Sequence, residues 1–196
     1  NPVEARKVVD VLASLWLAGP AVPPSVGVVT FNLRQAELIE ELLEERDEAD
    51  EAFRAVYIRE QDRVDNGEDM SVFIKNVENV QGDERDVIVF STTFGRTSEG
   101  LFRRNFGVLG QKGGERRLNV AVTRARQKVI VVSSIPVDEV SDMLRTRGKP
   151  ETPRDYLQAY LHYARLVSDG HLEESRRLAS RLVTVRSAAE ASGGSL

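Results

Sequence analysis

The sequence contains no cysteine, which excludes a disulfide scaffold, a thiolate zinc site, an iron–sulfur cluster and a cysteine nucleophile, and fits a reducing compartment. Histidine is almost as scarce. His162 and His171 are the two in 196 residues, and both lie in the C-terminal quarter, away from every motif described below, so a histidine triad or zinc site is not expected. Long apolar runs are missing too: the longest uncharged stretch, Val11 to Leu33, is broken by Gly19, Pro20, Pro23 and Pro24 into pieces too short to cross a bilayer. No membrane span is therefore expected. Asp10 interrupts the segment that could serve as a signal-peptide core, and no small-residue cleavage site is clear after it.

A strong charge of either sign is also absent, since 27 Lys+Arg stand against 31 Asp+Glu for a formal net charge of -4. This argues against a binder held by bulk positive charge and leaves room for a local basic groove. With 41% hydrophobic and 30% charged residues the composition is that of a folded chain, and its length suits one domain, or one domain with an appendage. It begins at Asn1 rather than Met and reads as a piece of a larger, cytoplasmic protein.

Asn1-Pro2-Val3-Glu4 has the pattern of a helix start, with Asn as N-cap, Pro at N1, and Glu at N3 placed to reach back to the cap amide. Val8, Val11, Leu12, Leu15 and Trp16 continue at helical spacing until Gly19-Pro20. Val26 to Phe31 is a continuous β-branched run, the pattern of a strand buried on both faces of a parallel sheet. Asn32 can cap the next helix, whose buried side is Ala36, Leu38, Ile39, Leu42 and Leu43. Residues 47 to 65 read as helix, and Asn66-Gly67 marks a turn before two strands, Val72 to Lys75 and Val87 to Thr92. Phe94 to Gly114 reads as a long surface loop with a short helical piece, Glu115 to Arg126 as a helix, and Val129 to Ser133 as a further strand. Strands alternating with helices predict a three-layer α/β sandwich around a parallel sheet. Beyond it Pro136 opens a helix to about Leu144. Tyr156, Leu157, Tyr160, Leu161 and Ala164 then form one helical stripe, and Leu172, Leu178, Leu182 and Val185 a second.

Three segments could carry chemistry. The stretch from Val77 to Asp86 follows one predicted strand and precedes another, where a parallel sheet collects ligand chemistry at the carboxyl ends of its strands. There Gly82 would let backbone approach a ligand, Gln81 could bond a phosphate oxygen or an ordered water, and Glu84 could accept from a ribose hydroxyl. Taken alone it is equally a polar glycine turn. In Arg116-Arg117-Leu118-Asn119-Val120-Ala121-Val122-Thr123-Arg124-Ala125-Arg126, helical spacing puts Arg117, Val120 and Arg124 on one face and turns Arg126 about 200° away from Arg124. Such a face is either a solvated surface with snorkelling arginines or a guanidinium offered to a phosphoryl group. The third segment, Gly27 to Gln35, runs a strand end into a helix N-terminus, which can hold a phosphate by its free amides.

In this order the three resemble the second RecA-like domain of superfamily 1 helicases, in the branch of the nonsense-mediated-decay RNA helicase and its bacterial relatives. Gly27-Val28-Val29-Thr30 with Gln35 looks like motif IV, Gln81-Gly82-Asp83-Glu84-Arg85-Asp86 like motif V, and Arg116 to Arg126 like motif VI. The likeness covers about residues 1 to 135. It implies a P-loop NTPase-type, RecA-like domain over residues 1–147; the helical stripes beyond it read as a helical appendage over 148–187, and the small residues of the end as a flexible tail over 188–196. The implied roles are Arg124 as the catalytic arginine finger on the γ-phosphate, Gln81, Gly82 and Glu84 at the ATP cleft, and Thr30, Asn32 and Asn76 along a single-stranded DNA or RNA track. The Pro-aromatic pair usual after the motif IV threonine is replaced by Phe31-Asn32. No Gly-x-x-x-x-Gly-Lys-Ser/Thr occurs in the chain, so the resemblance implies that the phosphate cradle and the Mg²⁺ ligands for ATP come from the first RecA-like domain of the same polypeptide. It further implies that this chain alone is inactive. The alternative is a non-catalytic module, derived from such a domain, that docks nucleic acid or protein.

Overall fold

The structure is a computed structural model that describes residues 1–18, 20 and 22–181. Gly19 of the first helix stop, Leu182 and Val185 of the last stripe, and the tail 188–196 lie outside the described residues. In chain order the elements are α1 (Pro2–Leu17), β1 (Val26–Thr30), α2 (Leu33–Ala49), α3 (Glu51–Gln61), β2 (Val64–Asp65), β3 (Glu68–Asp69), β4 (Phe73–Asn76) and β5 (Arg85–Ser91). A 3₁₀ turn (Gly107–Gly110), α4 (Gly114–Val122), β6 (Ala125–Val132), α5 (Val137–Val140), α6 (Met143–Thr146) and α7 (Pro153–Ser168) follow, and residues 172–181 are helical. The described residues form two compact units, 1–103 with 116–135 and 104–115 with 136–181.

In the first unit four parallel strands stand in the order β4-β1-β5-β6. The connection through α2 and α3 carries the chain from β1 to β4 in one direction, and that through α4 carries it from β5 to β6 in the other. Right-handed crossovers then place those helices on opposite faces, which makes the three-layer sandwich the sequence pattern predicts. One face packs Val26, Val28, Val87 and Val89 against Val8, Leu12 and Trp16 of α1, Ile39 and Leu43 of α2, and Phe53 and Tyr57 of α3. The caps form as the sequence suggests: Asn1 Oδ1 accepts from the Glu4 amide at 3.2 Å, and Asn32 Oδ1 from the Gln35 amide at 2.9 Å.

Four local readings are corrected. Residues 47–65 are not one helix. Asp50 leaves the helical conformation and its carboxylate caps α3 by accepting from Phe53 N at 3.1 Å, while residues 64–69 form a small antiparallel hairpin. That hairpin follows from Asn66 and Gly67, whose φ values of 54° and 83° suit a tight two-residue turn. The 94–114 segment contains its 3₁₀ turn, but Phe106 and Leu109 are buried, so it is not wholly a surface loop. The helix expected to end at Arg126 stops at Val122: the Thr123 hydroxyl and the Arg124 Nε both donate to the Val120 carbonyl, at 2.9 and 3.1 Å. Those bonds satisfy a helix-end acceptor, and the chain straightens into β6 at Ala125. The helix after Pro136 is likewise two short ones, since the Ser141 hydroxyl between them donates to Asp155 and accepts from Met143 N.

In the second unit α5, α6 and the 3₁₀ turn pack on α7, and the buried Asp155 carboxylate is its polar centre. It accepts from the Ser141 hydroxyl, the amides of Glu151 and Thr152 at 3.0 Å, and the Arg147 guanidinium at 2.7 Å.

Candidate functional site

The three motif segments do not meet at one end of the sheet. β4 and β5 run parallel with β1 between them, so the loop from Val77 to Glu84 starts at the carboxyl edge of the sheet and ends at its amino edge. The expectation that this loop sits at the strands' carboxyl ends is therefore corrected for its second half. Glu84 immediately precedes β5, Arg124 immediately precedes β6, and Arg85 pairs with Ala125 across the two strand starts. This register brings the Glu84 carboxylate to 3.5 Å from Arg124 Nη1.

Arg126 joins them, with its Nε 3.6 Å from the other Glu84 oxygen and its Nη2 3.6 Å from Glu68. Helical arithmetic turned Arg126 away from Arg124. Because the chain is extended from Ala125, residues two apart share a side instead. Gly82 lies beside the pair, lining a depression of about 280 Å³ with Glu68, Asp69, Met70, Glu84, Arg85 and Arg126. Its φ is +91°, and a Cβ there would meet nothing, so backbone conformation rather than close approach calls for glycine. Gln81 is exposed on the same loop.

Two neighbouring ionisable groups are structural. Arg85 is 5% exposed: its Nε donates to the Ser71 carbonyl and its Nη1 to the Glu84 carbonyl, both at 2.8 Å, and its guanidinium lies 5.2 Å from the Phe73 ring centre. Burial draws its pKa below the ordinary arginine value. Burial alone would raise the carboxyl pKa of Asp86. Hydrogen bonds from the Ser25 amide at 3.0 Å, its hydroxyl at 2.9 Å and the Gln127 side chain at 2.9 Å outweigh that, so the group sits below its usual range.

At the carboxyl edge Thr30 and Asn76 are register partners at the ends of β1 and β4. Thr30 is fully buried and its hydroxyl donates to the Asn32 carbonyl at 2.7 Å. Asn32 and Asn76 are half-buried, Asn32 capping α2 and Asn76 Oδ1 accepting from Glu78 N at 3.2 Å. The residue the sequence reading missed here is Glu4. Its carboxylate does not turn back to the helix cap. Instead one oxygen accepts from the Ser91 hydroxyl and Thr93 N, both at 2.8 Å, and the other from the Thr92 hydroxyl at 3.1 Å and Ser134 N at 2.6 Å. Thr93 has a φ of 67°, a strained value for a β-branched residue, and the bond from its amide to Glu4 helps to hold it. The signal in the sequence was an acidic residue on the apolar side of α1 one turn before Val8.

The arrangement offers two chemistries about one strand length apart. The amino edge presents two guanidinium groups and a carboxylate at the end of a glycine loop, suited to a phosphorylated ligand. The carboxyl edge presents the Asn32 and Asn76 amides, and the depression beside Asn32 is lined by Arg34, Glu37 and Glu41 as well. No group of ligands able to hold a metal ion is found among the described residues, nor any helix long and apolar enough to cross a membrane.

A family model described as an AAA domain matches residues 1–135. Over 130 residues the chain is 41% identical to an uncharacterized ATP-dependent helicase of Mycoplasma pneumoniae, and over 129 residues 41% identical to one of Mycoplasma genitalium. Each match takes in 66% of this chain and 11% of the relative, so the chain corresponds to a small part of these curated relatives.

Proposed function

The chain belongs to the AAA domain family, and from that premise we propose that it is the second RecA-like half of an ATP-dependent superfamily 1 helicase or translocase, of the nonsense-mediated-decay-helicase branch, acting on single-stranded DNA or RNA. ATP, with Mg²⁺ held by the first RecA-like domain of the polypeptide, would occupy the amino edge, where Glu84 meets the ribose and Arg124 the γ-phosphate. Gln81 and Gly82 would line the same cleft. The nucleic acid would cross the carboxyl edge through Asn32 and Asn76, with Thr30 bracing the turn from within. The relatives' names as ATP-dependent helicases support the reading, and one observation carries it: residues forty positions apart, Glu84 and Arg124, stand 3.5 Å apart, with Glu84 lining the same depression as Gly82.

Closure of the two domains would bring Arg124 onto charge that develops as the γ-phosphoryl group leaves, while opening and closing drive steps along the strand. In the full-length protein Arg124→Ala is expected to lower kcat about a thousandfold while leaving ADP affinity within a few-fold, because ADP has no γ-phosphate. Undiminished kcat in a folded Arg124→Ala variant would favour a docking module instead.

A further inference from the structure

Each of the three guanidinium nitrogens of Arg124 has a partner in the structure. Its Nε donates to the Val120 carbonyl at 3.1 Å, its Nη2 to the Thr123 hydroxyl at 3.4 Å, and its Nη1 faces Glu84 at 3.5 Å. A phosphoryl oxygen approaching Nη1 competes with Glu84 for the N–H groups of that nitrogen, so the grip of Glu84 opposes the transfer. Glu84 divides its two oxygens between Arg124 and Arg126, and Arg126 in turn lies between Glu84 and Glu68.

We propose that Arg126 is a positioning residue: by taking half of the Glu84 carboxylate it weakens the hold of Glu84 on Arg124, so that Arg124 can transfer to the γ-phosphate. The inference rests on the reading of Arg124 given above. The side chains are 20% exposed for Arg124, 43% for Arg126 and 45% for Glu84, and in water such pairs are weak and exchangeable. Once a second domain covers this edge and water leaves, the same pairs strengthen, and an unshared Glu84 would then hold Arg124 back. A β-strand start is what permits the sharing, because it sets residues 124 and 126 on one side.

The test is steady-state ATP hydrolysis by the full-length protein at saturating ATP, with thermal melting of each variant as a folding check. Arg126→Ala is expected to lower kcat about tenfold with KM for ATP within about twofold, since ground-state binding is spared. Arg126→Lys, which keeps a cation beside Glu84, is expected to stay within about threefold of wild type. The decisive measurement is a double-variant cycle: Glu84→Gln alone carries its own cost because Glu84 also meets the ribose, and the proposal expects Arg126→Ala to cost at least about threefold less in the Glu84→Gln background than in the wild-type one. If Arg126 met the phosphate itself, or merely braced the fold, Arg126→Ala would cost the same in both backgrounds, and that result overturns the proposal. Full turnover in Arg124→Ala would overturn the reading of the site as a whole. A large loss there with no coupling between Arg126 and Glu84 would overturn the role of Arg126 alone.

Discussion

The two edges of the sheet use carboxylates in opposite ways. At the amino edge Glu84 is half exposed and sits 3.5–3.6 Å from two guanidinium groups that can swing on long side chains. At the carboxyl edge Glu4 is 2% exposed and accepts four hydrogen bonds of 2.6–3.1 Å, two of them from backbone amides that cannot turn away. Solvent-exposed ion pairs contribute little to folding and exchange readily, which suits the release of Arg124 proposed above. A carboxylate buried among fixed donors has no such freedom. It belongs to the scaffold, and the same is true of Asp155 in the second unit.

The largest way to break this contrast is at Glu4. Each of its oxygens receives one backbone amide, from Thr93 or from Ser134. In Glu4→Gln either orientation of the side-chain amide points its NH₂ at one of those N–H groups, and a hydroxyl on the same side can rotate where the backbone cannot. Urea denaturation of this chain is expected to show a loss of about 3 kcal/mol for Glu4→Gln, the scale of breaking a buried charge network. Glu84→Gln is expected to change stability by less than about 0.5 kcal/mol. Equal losses would mean that the amino edge is scaffold too.

Asp155 sharpens the comparison through pH. Burial by itself would raise its pKa, but the Ser141 hydroxyl, the amides of Glu151 and Thr152 and the Arg147 guanidinium bring it down to about 2. A carboxyl depressed in the folded state stabilises above its unfolded pKa and loses that contribution as pH falls through the folded value. The window is therefore from about pH 4 down to about 2, and the contribution is about 2 kcal/mol. Asp155→Asn is expected to lower stability near neutral pH and to flatten the acid limb of the urea midpoint plotted against pH. An unchanged acid limb would show that Asp155 is not the buried centre of that unit.

Much of this was legible in the sequence, for local reasons. The β-branched runs at Val26 to Phe31 and Val87 to Thr92 allow little but buried strand, and Asn1, Asn32 and Asn66-Gly67 act through bonds or dihedrals within a few residues. Glu84 and Arg124 were visible as chemistry. Their common edge was not, because it depends on β1 lying between β4 and β5, which no window of sequence contains. Arg126 was misplaced because Leu118, Ala121, Val122 and Ala125 keep helical spacing through the point where the helix ends. The β-branched residues at 120, 122 and 123 hinted at that end, but two side-chain bonds to the Val120 carbonyl settle it. Glu4 looked like a cap because its local pattern is a capping box, whereas its partners lie 87 to 130 residues away.

A small expected effect on stability sharpens the contrast most directly. Gly82 adopts φ +91° with open space around a would-be Cβ, so Gly82→Ala meets no clash and pays only the backbone strain, about 1 kcal/mol. The loop has two ways to respond. If it keeps its conformation, the urea midpoint falls by that strain and Glu84 stays beside Arg124. If it relaxes toward negative φ, the strain disappears, but Glu84, two residues on, is displaced from the ribose it is proposed to meet. The amino edge is held by weak, exposed pairs that resist such a shift little. Relaxation is therefore the expected outcome: a stability loss below about 1 kcal/mol, together with a fall in ATP turnover of the full-length protein of about tenfold, larger than the stability change can explain. A variant that loses the full strain energy yet keeps wild-type turnover would show that the loop is rigid, and would place this edge with the scaffold, beside Glu4.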